Sequence, residues 1–438
     1  MTWRLYRGDC LDMLAELDDA SVDACVCDPP YGLGKPPPIK KVLHAWLAGE
    51  RVEVKGGGFM GAEWDAFVPG PRYWREVARV LKPGGHAVVF AGQRTIDVMG
   101  IALRLAGLKV RDLLGWQYWS GFPKSLDVSK AIARAAGAER EVVGTKLGLP
   151  GYAEGSTTGR MLPTTEIGAG RGYLDITAPA TPDAKRWEGW GTALKPCIEP
   201  ALLVRKPLSG TVAGNVLSHG TGALNIDGCR YAFGDPAWPG PQDGPQLQHD
   251  AVRGLGYHGG SGDAGFARMV PATVGRWPAN VYACPKASTA ERERGCDGLP
   301  LWSAGELVQR EEGSAGMDNP RAGAGRTSHG RRNAHPTVKP VRLLRWIVRL
   351  VTPPGGTVID PFAGSGSCGV AATLEGVEYI GAELGERYQP IAEARIAHAV
   401  AHPEQWLDTR PGPRVTDDEQ ERADIEAAGQ CDLFGGAA

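Results

Sequence analysis

The stretch Asp360-Pro361-Phe362-Ala363-Gly364-Ser365-Gly366-Ser367-Cys368-Gly369 decides the fold. The apolar run that leads into it, Thr357 to Asp360, predicts a buried strand, and the residues from Gly366 to Leu374 predict a helix. In such a strand-to-helix turn, a backbone without bulky side chains can pass close to a nucleotide-like ligand. The sequence therefore predicts an open α/β sheet with a ligand at the carboxyl end of this strand.

The residues around these glycines narrow the choice of ligand. Gly364-x-Gly366-x-x-Gly369 also fits a dinucleotide fingerprint, and such a turn can serve only to pack a helix on a strand. Asp360 and Phe362, however, add a carboxylate and an aromatic ring, which suit a cationic amino group and an adenine ring. S-adenosylmethionine carries both groups and no pyrophosphate. We therefore expect this cofactor, with Glu383, at the end of the next predicted strand, on its ribose.

A second motif, Asp28-Pro29-Pro30-Tyr31, directly follows another predicted buried strand, Val22 to Cys27. On its own it could be a proline turn with a capped aspartate. Its chemistry favours methyl transfer to an amino group, because the Asp28 carboxylate and the Pro29 carbonyl could each accept one hydrogen of the amine and aim its lone pair at a methyl carbon. The Tyr31 ring could stack on a base extruded from a duplex. No covalent intermediate is needed.

The 438 residues read as two α/β halves separated by irregular sequence, and 62 glycines and 34 prolines predict long loops. We divide the chain into a catalytic half at 1–130, an insertion at 131–186, a return to the sheet at 187–209, a target recognition domain at 210–330, a cofactor-binding half at 331–405 and a disordered tail at 406–438. Further predicted elements are the strand Trp3 to Arg7, the helix Cys10 to Leu17, a loop from Gly32 to about Gly61, the helix Tyr73 to Val80, a turn at Lys82-Pro83-Gly84-Gly85, and the strand His86 to Phe90. Later ones are the strands Ala201 to Arg205 and Glu378 to Glu383 and the helix Pro340 to Val351, and Trp238, Trp277 and Trp302 are expected to anchor the recognition domain.

These motifs, in this order, resemble the amino-group DNA methyltransferases of the circularly permuted beta class with a DPPY motif, in which the catalytic motif precedes the cofactor motif. Gly8-Asp9-Cys10-Leu11 is similar to that family's opening segment, and His335-Pro336-Thr337-Val338-Lys339-Pro340 to its cofactor-contacting motif. The resemblance implies an S-adenosylmethionine-dependent methyltransferase fold, which is Rossmann-like with a mixed seven-stranded sheet. It also implies circular permutation and an inserted, irregular target recognition domain.

The resemblance also implies roles for single residues. The catalytic residues would be Asp28, Pro29, Pro30 and Tyr31. The cofactor-binding residues would be Asp9 and Cys10 near the adenine, Thr337 and Lys339 near the methionine end, Glu383 on the ribose, and His335, Asp360, Pro361, Phe362, Gly364, Ser365 and Gly366 in the pocket. Members of this order often dimerise, so a homodimer is expected. No metal is expected.

The target base is less sharply indicated than the chemistry. Asp rather than Ser at position 28 favours the N6 amino group of adenine, a family tendency, and N4 of cytosine is the alternative. Methylation at cytosine carbon five would use Pro196-Cys197, but its partner triplet Glu-Asn-Val is absent, since Gly214-Asn215-Val216 lacks the acid. A nicotinamide-dependent oxidoreductase would leave Asp28 to Tyr31 without a role. Two further alternatives are a DNA-binding protein without activity and a methyltransferase with a similar tetrapeptide that acts on protein or RNA.

Local charge favours double-stranded DNA as the partner, although the whole chain has a net charge of -2. No Asp or Glu occurs from Asn319 to Ile359. The basic residues there are Arg321, Arg326, Arg331 and Arg332, which we predict to contact DNA, and Lys339, Arg342, Arg345 and Arg349. A solvated helix face next to a basic loop would give the same pattern.

Three smaller features complete the sequence-based expectations. The tail Gln430-Cys431-Asp432-Leu433-Phe434 resembles the peptides that dock on bacterial sliding clamps, which predicts a clamp contact through Gln430, Asp432, Leu433 and Phe434. Trp116, Tyr118, Trp119 and Phe122 could form a base-stacking platform, although a strand end that packs on the core is the commoner explanation. No apolar run is long enough for a membrane span and the start lacks a secretory pattern, so we expect a cytoplasmic protein in a bacterial or phage-infected host cell.

Overall fold

A computed structural model gives the fold, and it describes residues 2–52, 54, 58, 63–121, 123, 125–147, 173–232, 235–238, 276–303, 306–307 and 330–407. The strands are β1 (Trp3–Arg7), β2 (Val22–Cys27), β3 (Leu81–Phe90), β4 (Lys109–Gln117), β5 (Val142–Leu147), β6 (Tyr173–Thr177), β7 (Ile198–Arg205), β8 (Val281–Ala283), β9 (Thr357–Asp360) and β10 (Glu378–Glu383). The helices are α1 (Cys10–Ala15), α2 (Ile39–Leu47), α3 (Pro71–Val80), α4 (Ile96–Leu105), α5 (Val128–Ala135), α6 (Pro182–Arg186), α7 (Val212–His219), α8 (Thr289–Glu293), α9 (Val341–Val351), α10 (Ser367–Glu375) and α11 (Gln389–Ala401).

Both ends of the described chain contribute strands to one mixed sheet, in the order β1-β10-β9-β2-β3-β7-β4-β8. The strands from β1 to β3 in this order are parallel, β7 is antiparallel to both of its neighbours, and β8 runs parallel to β4. The β2–β9 pairing joins the two predicted halves, because Ala24 pairs with Val358 and Cys25 with Ile359. The predicted α/β fold with a mixed sheet is confirmed.

Two apolar layers cover the sheet, as the alternation of side chains along a strand requires. Val26 and Val88 face the layer that contains α9, α10 and α11. Cys25 and Val89, on the opposite face, pack against the layer that contains α1, α3 and α4. The loops at the strand ends are thereby mounted on a scaffold that is buried on both sides.

The structure corrects three details of the prediction. The sheet has eight strands instead of seven, because β8 lies within the predicted recognition domain and is too short to show alternation. The loop predicted from Gly32 contains the helix α2, which begins directly after Pro38 and buries Val42 and Trp46, one helical turn apart. The turn Lys82-Pro83-Gly84-Gly85 is a bulge within β3, since Val22 pairs with Leu81 and Ala24 with His86.

Part of the predicted insertion forms a small unit of its own. β5 and β6 pair only with each other, as an antiparallel pair, and the Arg140 guanidinium donates to Ser129 and Thr177. The predicted boundary before position 131 falls inside α5, so the unit begins earlier, near the bridge between Asp127 and Gly191.

The described part of the predicted recognition domain packs on the sheet domain. Tyr231 stacks on Trp346 of α9 with ring centroids 6.2 Å apart, and Trp238 packs against Tyr231. Trp302 lies 3.9 Å from the Arg387 guanidinium, whereas Trp277 is 45% exposed and touches Arg230. Residues 239–275 and 308–329 lie outside the described part of the chain.

The described chain ends after a buried tryptophan. Trp406, in the 3-10 turn Pro403–Trp406, donates from its indole to His398 of α11, so the predicted tail boundary at 406 cuts into the packed domain. No helix among the described residues is both long and apolar enough to cross a membrane.

Candidate active site

β2 and β9 are neighbouring parallel strands, so their carboxyl ends meet at one edge of the sheet. Asp28 directly follows β2, and Asp360 is the last residue of β9. A cavity of about 1360 Å³ opens at this edge. Of the residues predicted from sequence, its wall contains Asp9, Cys10, Asp28, Pro29, Pro30, Tyr31, His335, Thr337, Lys339, Asp360, Pro361, Phe362, Gly364, Ser365 and Glu383. Stretches more than three hundred positions apart, such as Asp28 and Lys339, thus share one cavity.

The loop after Asp28 is fixed by residues that are distant in sequence. The buried Asp65 carboxylate accepts hydrogen bonds from the backbone N–H groups of Tyr31 at 2.7 Å, Gly32 at 2.9 Å and Leu33 at 3.2 Å. The Thr95 hydroxyl donates to the Tyr31 carbonyl at 2.7 Å. Four backbone groups of this loop are therefore satisfied from outside it, which fixes its conformation.

The Lys339 ammonium joins the motif Asp28-Pro29-Pro30-Tyr31 to Glu199 of β7. Lys339 Nζ lies 2.5 Å from Asp28 Oδ2, 2.8 Å from Glu199 Oε1 and 3.2 Å from Tyr31 Oη. These three partners account for all three hydrogens of the ammonium. The Tyr31 hydroxyl in turn donates to Glu199 at 2.6 Å. The rings of Tyr31 and Phe90 lie 5.4 and 5.0 Å from the same nitrogen, so the cation is enclosed.

The cluster changes the pKa of each of its members. Burial raises the pKa of Asp28, and the Lys339 ammonium offsets part of this shift. Burial also favours the neutral form of Glu199, but Lys339 and Tyr31 outweigh it and lower the pKa of this carboxyl. Burial disfavours the Lys339 ammonium, yet the two carboxylates raise its pKa above the usual value. Lys339 is therefore charged at neutral pH, between two acidic groups.

The glycine loop is held mainly by contacts between nearby residues. Gly364 has a φ of +54°, and a Cβ atom there would lie 2.7 Å from His335 Nε2. Its backbone N–H donates to Glu383 Oε2 at 2.7 Å, and the N–H of Gly385 donates to Oε1 at 2.7 Å. Gly364 thus lets His335 pack closely against the loop, and its N–H orients the Glu383 carboxylate at the end of β10.

A buried guanidinium supports the other side of this loop. Arg395 of α11 is fully buried and donates to the Ser365 carbonyl at 2.6 Å and to the Ser367 hydroxyl at 2.9 Å. Gly366, predicted as a cofactor residue, is absent from the cavity wall. A Cβ atom at Gly366 would lie 2.8 Å from Cα of Ala392, so this glycine lets α11 approach the loop.

Two carboxyl groups at this end of the cavity have raised pKa values. Burial raises the pKa of Asp360 to about 8, and the nearby Asp28 adds to the shift, although the N–H of Phe362 donates to Asp360 at 3.1 Å. Burial raises the pKa of Glu383 to about 7. A positive charge in the cavity would stabilise the ionised form of both groups.

The segment from His335 to Lys339 spans the two sides of the cavity. His335 lies against the glycine loop and packs on Tyr388, while Lys339 reaches Asp28. The Arg292 guanidinium donates to the His335 carbonyl at 2.6 Å. Burial and that neighbouring cation lower the pKa of His335 to about 3, so its imidazole is neutral.

The basic stretch before and along α9 is largely compensated within the fold. Lys339 pairs with two carboxylates, Arg342 pairs with Asp235, and both Arg345 and Arg349 pair with Glu375. Acidic partners from other parts of the chain thus offset the charge of these four residues, which the absence of Asp and Glu from Asn319 to Ile359 did not indicate.

The four arginines predicted to contact DNA divide into two groups. The Arg332 guanidinium donates to the Leu299 carbonyl at 2.6 Å, and the backbone of Arg331 pairs with Trp302. Arg321 and Arg326 lie outside the described residues. The Arg332 side chain therefore supports the fold, and the DNA contact of the four arginines stays a prediction.

Aromatic residues at the end of β4 pack in the core, which was the commoner of the two explanations for this aromatic run. Trp116 and Tyr118 are buried in the core, and the Trp116 indole donates to the Cys284 carbonyl. Trp119 is 63% exposed, and Phe122 lies outside the described residues.

Sequence reasoning missed three side chains that shape the site. Glu199 left a weak signal, since it is an acid next to the apolar run of β7. Asp65 left no signal in the sequence, because it accepts hydrogen bonds from the loop after Asp28 but lies in a glycine-rich region more than thirty positions later. Arg395 lies on α11, where a single arginine among alanines would ordinarily be read as exposed.

A model of the N6 and N4 methyltransferases, described as DNA methylase, matches residues 22–132 and 242–394, which together make up more than half of the chain. The chain belongs to the DNA methylase family. This membership agrees with S-adenosylmethionine, the cofactor expected from the motifs.

The similar proteins either align with only a short part of this chain or share little sequence identity with it. The putative methylase YubD of Escherichia coli K12 is 49% identical over 63 residues, which are 14% of this chain and 28% of that protein. The DNA adenine methyltransferase YhdJ of the same strain is 44% identical over 62 residues, 14% of this chain and 21% of its own. The chain thus aligns with less than a third of each relative's length. The solved PvuII DNA methyltransferase, cytosine-N4-specific, shares 13% identity with a TM-score of 0.42 and covers 98% of this chain and 92% of its own.

Proposed function

We propose that this protein is a site-specific DNA methyltransferase of the circularly permuted, DPPY type, which transfers a methyl group from S-adenosylmethionine to the N6 amino group of a flipped adenine. The observation that carries the proposal is the shared cavity, in which Asp28 and Pro29 lie at one side and Gly364 and Glu383 at the other. An amine acceptor site and a nucleoside site in one cavity are the two requirements of direct transfer.

The cofactor end of the cavity fits the chemistry of S-adenosylmethionine. Gly364 lies in the cavity wall without a side chain, so its backbone is accessible to a ligand on the side that His335 does not cover. The Glu383 carboxylate keeps unused lone pairs after accepting from two N–H groups, and these can accept ribose hydroxyls. Asp360, with its raised pKa, would be stabilised as a carboxylate by a cationic ligand.

The catalytic end supplies acceptors for the amino group. When bound, S-adenosylmethionine supplies a methyl group activated by a sulfonium. Asp28 and the Pro29 carbonyl accept the two amine hydrogens, which removes the lone pair of the nitrogen from conjugation with the ring. Asp28 then takes the proton that the nitrogen releases. The Tyr31 ring offers a stacking surface that compensates part of the stacking lost from the duplex.

Adenine is favoured over cytosine by Asp at position 28, a tendency of the family that the motifs resemble, and by the partial similarity to YhdJ, a DNA adenine methyltransferase. Incubation of the purified protein with mixed-sequence DNA and labelled S-adenosylmethionine, followed by digestion to nucleosides and mass spectrometry, tests the proposal. We expect N6-methyldeoxyadenosine. N4-methyldeoxycytidine would overturn the choice of base and keep the reaction, whereas no labelled nucleoside would overturn the proposal.

Three partner contacts belong to the same proposal. We infer contacts of Arg321, Arg326, Arg331 and Arg332 with double-stranded DNA, a homodimer, and a sliding clamp that binds Gln430, Asp432, Leu433 and Phe434. The clamp residues lie outside the described part of the chain. A pull-down of the clamp that is unchanged by Leu433→Ala with Phe434→Ala would exclude the last contact.

A further inference from the structure

The active-site cluster contains one acidic group more than direct methyl transfer requires. Asp28 alone supplies the carboxylate acceptor of the proposed mechanism, yet Lys339 Nζ lies on it at 2.5 Å. An ion pair of one carboxylate and one ammonium has no net charge. Glu199 is the third member, 2.8 Å from the same nitrogen, and its side chain is 18% exposed.

We propose that Glu199 is a positioning residue that shares the Lys339 ammonium with Asp28 and thereby keeps a net negative charge beneath the target amine. This inference rests on the proposed function, because it concerns the same reaction. Glu199 binds neither the base nor the cofactor in this proposal. It acts through Lys339.

The charge has a direct role in the transfer step. As the nitrogen–methyl bond forms and the carbon–sulfur bond breaks, sulfur keeps the electron pair and the positive charge moves to the base nitrogen. A fixed negative charge next to that nitrogen stabilises the transition state, because it need not reorganise during the reaction. With two carboxylates and one ammonium, the cluster retains one negative charge. With Asp28 and Lys339 alone, it would retain none.

The geometry also gives Lys339 an alternative partner. One carboxylate oxygen of Asp28 and one of Glu199 lie within hydrogen-bond distance of Lys339 Nζ. Tyr31 Oη accepts from Lys339 and donates to Glu199. When the amino group of a base binds Asp28, the ammonium can give up its contact with Asp28 and keep those with Glu199 and Tyr31. Asp28 is then free to accept from the base. The enclosing rings of Tyr31 and Phe90 prevent a larger displacement.

Other charges near the cluster do not replace Glu199. Among the described residues, the charged or titratable groups that act on Glu199 or Asp28 include Lys339, Tyr31, Lys286, Tyr118 and Asp360. Lys286 lies over the Tyr118 ring, 4.3 Å from its centre, and lowers the pKa of Glu199 further. Asp360 is protonated at neutral pH until a cation arrives, since its pKa is about 8.

The test compares Glu199→Gln with the wild-type protein in single-turnover methyl transfer across pH. We expect the maximal rate to fall on the order of 10²-fold. We also expect the acid limb of the profile to move to lower pH, because removal of the Glu199 charge lowers the pKa of Asp28. Glu139→Gln, the same change at an exposed glutamate, should alter neither quantity.

The double variant Glu199→Gln with Lys339→Met distinguishes charge from structure. Without Lys339, burial raises the pKa of Asp28 further, so the comparison is made on the alkaline plateau of each pH profile, where Asp28 is ionised. There Asp28 is the single charge of the cluster, so we expect a rate at least tenfold above that of Glu199→Gln alone, a gain that a structural role would not give.

Each other outcome overturns a stated claim. Three outcomes would each overturn this inference alone. The first is an unshifted pH profile of Glu199→Gln when the wild-type protein is active. The second is a Glu199→Gln protein that no longer binds S-adenosylmethionine by calorimetry, and the third is a double variant no faster than Glu199→Gln. A wild-type protein that methylates no DNA overturns the proposed function as well.

Discussion

The two walls of the active-site cavity are built in opposite ways. The glycine loop that begins at Gly364 follows β9 and is completed by Glu383 and Arg395, all within one continuous segment of chain. The loop that begins at Asp28 follows β2 and depends on Asp65, Glu199 and Lys339, which come from three separate regions.

The difference implies different sensitivities. The glycine loop depends on the conformation of its own backbone, so a substitution that restricts this backbone should lower cofactor affinity. The loop that begins at Asp28 depends on distant side chains, so removal of one of these side chains should lower the rate of transfer. Each variant below is therefore expected to change mainly cofactor binding or mainly the rate of transfer.

The largest effect is expected from Asp28→Ala. In the proposed mechanism it removes the carboxylate that accepts an amine hydrogen and then the proton, and loss of such a group costs roughly 10²- to 10⁴-fold in rate. Cofactor affinity, measured by calorimetry, should stay within about threefold, because the glycine loop is not touched. A variant that methylates DNA at the wild-type rate would contradict the mechanism.

Gly364→Ala should weaken cofactor binding. The residue has a φ of +54°, and the new methyl group would lie 2.7 Å from His335 Nε2. Left-handed backbone at a residue other than glycine costs about 1–2 kcal/mol, so we expect a loss of roughly tenfold or more in affinity, by titration calorimetry. Gly107→Ala is the matched control, since its φ is +90° and no atom lies within 4 Å of the added Cβ. Equal loss of affinity in both variants would refute a local effect.

Asp65→Asn should lower the rate with little change in cofactor affinity. The carboxylate accepts three backbone N–H groups of the loop after Asp28, and the amide offers one oxygen where there were two. An unsatisfied buried N–H costs about 1–3 kcal/mol, so a loss of around tenfold in single-turnover rate is expected. Asp18→Asn, at an exposed aspartate, is the control. Affinity falling in parallel with rate would show that the two walls are not independent.

The same contrast explains how much could be predicted from the sequence. The strands β1, β2, β9 and β10 and the residues Gly364 and Glu383 were predictable, because their signals lie within short windows of apolar periodicity and glycine spacing. Asp65, Glu199 and Arg395 were not, since each acts on a loop brought near it only by the fold. The pairing of Arg345 and Arg349 with Glu375 was missed for the same reason, whereas β8 was missed because three residues are too few to show alternation.

The smallest effect concerns pH and the cofactor wall. Asp360 has a pKa raised to about 8, so below that pH it is largely protonated and offers no charge to a cationic ligand. Affinity for S-adenosylmethionine should therefore rise with pH and fall roughly fivefold between pH 8 and pH 7, with a proton released on binding. Calorimetry in buffers of different ionisation enthalpy measures both quantities. Asp360→Asn should leave only the dependence near pH 7 that arises from Glu383, whose pKa is about 7. If the variant retains the full slope between pH 7 and pH 8, Asp360 is not the group that titrates, and the cation would have to be recognised by another part of the wall.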